Sequence, residues 1–244
     1  MKHQNAVIAF ARQPLLARRP AHEPFAALTW ADRDILSAAL LGDLIENAFQ
    51  LGDADIFFYN SPPVIPDELL RPFRKRLQCF TLDATPALQQ IGQAVKDAFA
   101  QDYRRVILVL ENHPVLRPSL MGRLFEQLDF EEDCIVVGPT HDARCLFLAL
   151  KSDHSAMLGG ALSPASFEKP FGLLKQLCSL DTMLFLTRQT YALDSDVNIA
   201  RLKRELEADA ARAPGFPRRT YDVLKVLEKK YTRAKRVYWR KDRQ

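Results

Sequence analysis

Three features that would assign the sequence quickly to a protein class are missing. No apolar run approaches the roughly 20 residues that a membrane-spanning helix needs, so we expect no membrane span. The N-terminus passes directly into a short apolar run without a cleavage pattern, and we therefore expect no signal peptide. Internal repeats and low-complexity segments are also missing, which argues against a repeat protein.

Paired cysteine motifs are missing as well. The four cysteines are widely spaced along the chain, at positions 79, 134, 145 and 178. Such spacing is typical of free thiols in a reducing compartment, because disulfide frameworks and zinc sites bring cysteines together in recognisable pairs. We therefore expect a cytoplasmic protein without structural disulfides.

Charge is distributed unevenly along a chain of ordinary composition. With 48% hydrophobic and 26% charged residues, the sequence is typical of a folded domain. From Pro214 onward there are 11 Lys and Arg against 3 Asp and Glu, whereas the preceding part has 23 against 27. The sequence thus predicts a mildly acidic domain over residues 1–213 and a basic helical extension over 214–244.

The basic extension has two interpretations. Apolar residues recur in it at helical spacing, at positions 224, 227, 231, 234 and 238. One interpretation is a basic amphipathic helix that binds an acidic partner, nucleic acid or a membrane surface. The other is a helix that docks its apolar stripe on the domain and exposes its charges to solvent. The sequence does not specify an oligomeric state.

Short apolar runs alternate with helical periodicities through most of the chain. The runs predict strands over residues 6–10, 55–60, 79–82, 106–110, 134–137, 145–150 and 182–187. Helices are predicted from Thr29 to Phe49 and over 67–77, 85–99, 119–128, 171–180 and 194–211, with a loop over 152–167. The helix over 67–77 should be bent or broken at Pro72. This alternation indicates an α/β fold with a mostly parallel central sheet and helices on both faces. The link around His141 is too short for a crossover helix, which predicts one antiparallel strand.

The strand over residues 106–110 is the predicted centre of the sheet. It is uniformly apolar and then changes abruptly to Glu111, Asn112, His113 and Pro114. Ligands of open α/β sheets bind at the carboxyl ends of the strands. We therefore expect residues 111–113 to lie at the centre of any site.

Four stretches together resemble a known family. Residues 10–14 (Phe-Ala-Arg-Gln-Pro) and 110–114 (Leu-Glu-Asn-His-Pro) correspond to its Phe-Ala-Lys-x-Pro and Gly-Ser-Asp-x-Pro motifs. Residues 138–142 (Gly-Pro-Thr-His-Asp) match its Gly-Pro-x-x-Asp motif, and 191–199 follow the outline of Asp-Val-Asp-Thr-x-x-Asp-Leu. The chain thus resembles the bacterial nucleotide-diphospho-sugar transferases with a GT-A fold, of the arsenosugar-biosynthesis glycosyltransferase type, and more distantly the guanylyltransferases of cofactor synthesis.

The resemblance implies a nucleotide-sugar donor and a divalent metal, Mg²⁺ or Mn²⁺, at the carboxyl ends of the strands. It implies that Arg12, Arg18 and Asn112 contact the nucleotide or its phosphates. Asp142 and Asp194 are the implied metal ligands, since carboxylate oxygens bind hard cations. Glu111 departs from the family motif and is a further candidate ligand beside them. His113, His141 and Arg144 are further pocket residues, and no catalytic residue is assigned.

Several family positions carry different chemistry here. Asn112 replaces the metal-binding aspartate and brings no negative charge. Ala17 replaces the glycine of the first loop, and Ala143 and Arg144 replace a Gly-Gly pair that lets the backbone approach a ligand. Two hypotheses follow: a glycosyltransferase that uses a nucleotide-sugar, or a catalytically degenerate protein that binds or scaffolds on the same fold.

Overall fold

A seven-stranded sheet organises the molecule, which we describe from a computed structural model. The structure describes residues 3–10, 28–59, 70–80, 87–110, 113–142, 144–161, 172–193, 195–209 and 213–241. The strands are β1 (Asn5–Phe10), β2 (Ala54–Tyr59), β3 (Leu77–Phe80), β4 (Arg105–Val109), β5 (Cys134–Pro139), β6 (Cys145–Leu150) and β7 (Met183–Leu186). The helices are α1 (Trp30–Gln50), α2 (Ala87–Ala100), α3 (Pro118–Gln127), α4 (Gly172–Leu177), α5 (Asp196–Ala208) and α6 (Arg218–Lys241).

The strand order is β3-β2-β1-β4-β6-β5-β7, and β6 alone among these strands runs antiparallel. The β1, β2 and β4 strands are buried along almost their whole length, as uniformly apolar central strands require. The predicted α/β class and the single antiparallel strand beside His141 are both confirmed. Because the other strands are parallel to one another, their carboxyl ends lie at one edge of the sheet.

Helices cover both faces of the sheet. On one face, apolar side chains of α1 and α3 pack against β1, β2 and β4. On the other face, α2, α4 and the fully buried Leu158 pack against the alternate residues of the same strands. The alternation of side chains along each strand supplies an apolar surface to both layers.

Helix α1 begins where the sequence predicts. The Thr29 hydroxyl accepts from the backbone N–H of Asp32, and the Asp32 carboxylate accepts from the backbone N–H of Thr29, so both halves of a capping box are present. The helix ends before Gly52, whose φ of 81° is the left-handed conformation that glycine adopts most readily.

Helix α6 packs on the outer side of α1. Leu224 and Leu227 are buried in a third apolar cluster with Leu36 and Leu40 of α1 and with residues of α5. The Lys230 ammonium and the Tyr231 hydroxyl both donate to the Asp32 carboxylate, at 2.8 and 2.5 Å. The apolar stripe of the basic extension is therefore docked on the domain as far as residue 231, and binding of an acidic partner stays a prediction. Among the described residues, no helix is long and apolar enough to span a bilayer.

Two predicted elements differ from the structure in part. The helix predicted over 67–77 is described from Leu70, which is helical, and it changes at the predicted break into a 3₁₀ turn over Arg71–Phe73. It ends before Leu77, because Leu77 already pairs with Ile56 in the sheet. The loop predicted over 152–167 contains a π-helical turn, Met157–Ala161. That turn forms because Leu158 is buried against α2, a tertiary contact that outweighs the weak helix propensity of two adjacent glycines.

Candidate functional site

The carboxyl edge of the sheet brings together the chain segments that carry the predicted site. The exit of β4 and the exit of β5 lie on either side of the entry of β6. Leu110 donates its backbone N–H to the carbonyl of Leu146 at 2.8 Å, and Pro139 pairs with Cys145. The predicted residues His113 and Asp142 therefore follow strands that end at the same edge.

The structure describes four of the nine predicted site residues. These are His113, His141, Asp142 and Arg144. The other five lie outside the described residues: Arg12, Arg18, Glu111, Asn112 and Asp194. The predicted contacts of those five with nucleotide or metal therefore stay predictions.

Asp142 and Arg144 form an ion pair within the turn between β5 and β6. The Arg144 Nε donates to Asp142 Oδ2 at 2.6 Å, and the Thr140 hydroxyl donates to Asp142 Oδ1. The Thr140 oxygen also accepts the backbone N–H of Arg144 at 2.9 Å, which closes the turn. The Asp142 side chain is 51% exposed and that of Arg144 only 11%, so the guanidinium lies beneath the carboxylate.

This arrangement is unfavourable for a metal ion at Asp142, and metal binding there stays a prediction. Both carboxylate oxygens already accept hydrogen bonds, and the carboxylate charge is offset by Arg144. A cation would therefore compete with Arg144 for a carboxylate whose charge is already offset. Nor do the described residues contain a group of three or more His, Cys, Asp or Glu side chains placed to hold a metal.

His113 is buried behind the edge. Its side chain is 6% exposed, and its Nδ1 accepts the backbone N–H of Val115 at 3.1 Å. That bond places the proton of the neutral ring on Nε2, which is buried and has no hydrogen-bond partner among the described residues. Burial lowers the pKa of His113 from 6.5 to about 4, so the ring is neutral at physiological pH.

Three residues that the sequence did not single out surround His113 and the segment after β7. Tyr191 meets the His113 ring edge to face, with the ring centroids 5.2 Å apart. The Tyr191 hydroxyl donates to the Glu205 carboxylate at 2.6 Å, and burial next to that carboxylate raises the pKa of Tyr191. The Arg201 guanidinium lies 4.2 Å from the Tyr191 ring centroid and pairs with Glu205 at 2.9 Å. Their spacing along the chain follows no known motif, so the sequence offered no signal for this cluster.

His141 links the ends of β5 and β7. Its side chain is exposed, and its backbone N–H donates to the carbonyl of Thr190 at 2.8 Å. Thr190 in turn donates to the carbonyl of Pro139 at 3.1 Å. These bonds continue the parallel pairing past the strands and fix the edge next to Asp142.

Comparison with known proteins agrees with this architecture. No protein-family model matches the sequence, and no curated protein matches it significantly. Among solved structures, the chain is similar to a candidate nucleotide-diphospho-sugar transferase from Desulfovibrio desulfuricans, with a TM-score of 0.66 and 14% identity over 95% of this chain and 99% of that one. A cytidylyltransferase from Leptospira borgpetersenii is similar with a TM-score of 0.50 and 12% identity, over 95% and 96% of the two chains.

Structural similarity at such low sequence identity shows that two chains share a fold, but it does not show that they share an activity. The arsenosugar-type subfamily and glycosyl transfer itself therefore stay predictions. What the strand order, the two helical layers and these similarities establish together is that the chain has a nucleotide-diphospho-sugar transferase-like fold.

Proposed function

We propose that this protein binds a nucleoside diphosphate-sugar at the carboxyl edge of its sheet and transfers the sugar to an acceptor. The main support is the similarity to a candidate nucleotide-diphospho-sugar transferase, which extends over 95% of this chain. The general rule that α/β sheets bind ligands at the carboxyl ends of their strands places the donor beside the exits of β1, β4 and β5.

In the proposed reaction, an acceptor hydroxyl oxygen attacks the anomeric carbon of the sugar. The bond from that carbon to the diphosphate oxygen breaks, the nucleoside diphosphate leaves with the bonding electrons, and the hydroxyl proton passes to water. Negative charge develops on the leaving diphosphate, and fixed cations stabilise it. Arg12, Arg18 and Arg144 are the arginines that we assign to this task, because guanidinium groups bind phosphate oxygens in a bidentate manner.

A second candidate function is supported by one observation. The ion pair between Asp142 and Arg144 already offsets the carboxylate that the resemblance assigns to a metal. A site that has exchanged its metal for an internal ion pair is suited to binding a nucleotide without turning it over. The second candidate is thus a catalytically inactive binding or scaffolding protein on the same fold.

A panel of nucleotide-sugars tests both candidates. Thermal unfolding is followed with UDP-, GDP-, CDP- and dTDP-sugars at millimolar concentration, with and without Mn²⁺, and release of nucleoside diphosphate is then measured for each ligand that raises the Tm. A Tm rise with release supports transfer, and a rise without release supports the binding protein. If no nucleotide-sugar raises the Tm, the proposal is wrong.

A further inference from the structure

A groove of about 500 Å³ lies beside the carboxyl edge, and none of the predicted site residues lines it. Its lining residues come from α3 and the segment just before it, from the end of β5, from the first half of β6 and from the segment after β7. This volume is within the range of about 300–1,000 Å³ that is typical of small-molecule sites.

The floor of the groove depends on a close contact between Gly138 and Phe147. A Cβ atom added at Gly138 would lie 2.2 Å from the Phe147 ring, so only glycine lets the ring lie this close to β5. The strand register also shifts between Gly138 and Pro139, where the contact occurs. Val115 and Leu120, both half-buried, add apolar wall from the segment that leads into α3. An apolar floor and walls are suited to bind the uncharged, apolar part of a ligand.

The rim of the groove is positively charged. The exposed side chains of Arg123 and Arg188 line it from opposite elements, and no carboxylate is present among its described lining residues. Within the described part of the chain, neither guanidinium forms an ion pair with an acidic side chain. Two arginines that pair with no acidic side chain of the described residues, next to an apolar pocket, are complementary to a ligand that carries one anionic group.

Both arginines project from backbone segments that are fixed by hydrogen bonds. Arg123 projects from α3, and Gln127, one helical turn later, lines the same groove. Arg188 lies between Thr187 and Thr190, which donate their backbone N–H groups to the carbonyls of Val137 and Pro139 at 2.9 and 3.1 Å. The segment that carries Arg188 is therefore tied to β5 on both sides of the arginine.

The groove adjoins the proposed donor site through two direct links. Thr190, a wall of the groove, accepts the backbone N–H of His141, and Val115, another wall, donates its backbone N–H to His113. We propose that the groove is the acceptor subsite, and that it binds a small molecule with an apolar body and one anionic group, a carboxylate or a phosphate. The role as acceptor subsite depends on the proposed function, whereas the binding of an anionic amphiphile does not.

A fluorescent pair of probes tests the binding. Anilinonaphthalene sulfonate carries an apolar body and one anionic group, and N-phenyl-1-naphthylamine is its uncharged counterpart. We expect the anionic probe to bind the native protein with one site, and its Kd to rise on the order of tenfold in R123Q/R188Q and further in R188E, because a charge-assisted contact is lost or reversed. The Kd of the uncharged probe should stay unchanged in the same variants.

The exposed Arg104 provides the control, because it precedes β4 at the opposite edge of the sheet. R104Q should bind both probes like the native protein. An unchanged Kd of the anionic probe in R123Q/R188Q, or equal weakening of both probes, would overturn the groove as an anion site. All of these arginines are exposed, so their replacement should leave folding intact.

Nucleotide-sugar binding, measured on the same variants, separates this proposal from the proposed function. A distinct acceptor subsite requires that R123Q/R188Q bind the nucleotide-sugar as tightly as the native protein does. If the variant loses both ligands, the groove is part of the donor site and the acceptor assignment is wrong. If the native protein binds the anionic probe in the groove but no nucleotide-sugar, the proposed function fails and only the anion site remains.

Discussion

The rings of His113 and Tyr191 meet edge to face, with their centroids 5.2 Å apart and their planes at 80°. This contact joins the exit of β4 to the segment between β7 and α5, which are far apart in the sequence. It also removes His113 from water, and burial lowers its pKa to about 4. The contact therefore makes the stability of the fold depend on pH.

His113 should destabilise the protein as the pH falls. Because its pKa is about 4 in the folded state and 6.5 in the unfolded state, the unfolded chain binds more protons between these values. The free energy of unfolding is thus highest above pH 6.5 and should lose about 3 kcal/mol from this residue by pH 4. His113→Asn keeps an acceptor near Nδ1 and does not titrate.

Urea unfolding between pH 7.5 and pH 4 measures this effect as the difference between the native protein and His113→Asn. The difference should move by about 3 kcal/mol in favour of the variant over that range. The same substitution at the exposed His141 serves as the control. A pH-independent difference for His113→Asn would contradict a buried neutral imidazole.

Asp43 of α1 caps α6 from outside that helix. Its carboxylate accepts the backbone N–H groups of Arg219 and Thr220, at 3.1 and 2.8 Å, in the first turn of α6. Asp43 is 5% exposed, so Asp43→Ala leaves a buried and a partly buried N–H group without their acceptor and should cost about 2 kcal/mol of unfolding free energy. Urea unfolding of the native protein and of Asp43→Ala measures this loss.

Glu46 offers the matched control for Asp43. It lies one turn later on α1 and forms an exposed ion pair with Arg219. Exposed pairs contribute about 1 kcal/mol at most, so Glu46→Ala should have a much smaller effect than Asp43→Ala. Equal losses for the two variants would mean that the cap does not stabilise the docking of α6.

Two helical glycines should respond in opposite ways to alanine. A Cβ at Gly92 of α2 would lie 2.6 Å from the Cα of Gly159, so Gly92→Ala must push the π-helical turn away and should cost about 1–3 kcal/mol. A Cβ at Gly122 of α3 meets nothing within 4 Å, and Gly122→Ala should stabilise by up to about 1 kcal/mol. Thermal unfolding gives both signs, and a stabilising Gly92→Ala would contradict the tight packing.

The ion pair at the edge makes a prediction about ligand binding. Asp142 offsets the charge of Arg144, so Asp142→Asn should free that charge and tighten the binding of the best nucleotide-sugar severalfold in the absence of metal. Calorimetric titration with and without Mn²⁺ measures the change, and Asp129→Asn is the control because its ion pair with Arg105 is distant from the carboxyl edge. If Asp142→Asn weakens binding only when Mn²⁺ is present, Asp142 is a metal ligand and its ion pair gives way to the metal.

The sequence could predict the sheet because the strands are uniformly apolar. Burial on both faces forces residues such as those of β4 to be hydrophobic, and the short link around His141 leaves room only for an antiparallel partner. The start of α1 was equally predictable, since the Thr29–Asp32 box forms from contacts within one turn. Local chemistry determines these features, and local chemistry is visible in a sequence.

The features that the sequence did not predict depend on contacts between residues that are distant along the chain. The π-helical turn exists because Leu158 is buried against α2, although glycines disfavour a helix there. The Asp142–Arg144 pair requires a particular turn geometry that spacing alone does not specify. Arg123 and Arg188 meet at the groove only because α3 and the segment after β7 pack side by side. Side-chain sites of this kind follow from tertiary packing and not from periodicity.

The most direct test of the account is a crystal structure of the protein soaked with the nucleotide-sugar that raises its Tm most. We predict that density for the diphosphate lies between the exits of β4 and β5, next to Arg144 and on the side of the sheet edge where His141 is exposed. Density for the nucleotide at the amino edge of the sheet, near Arg104, would contradict the account.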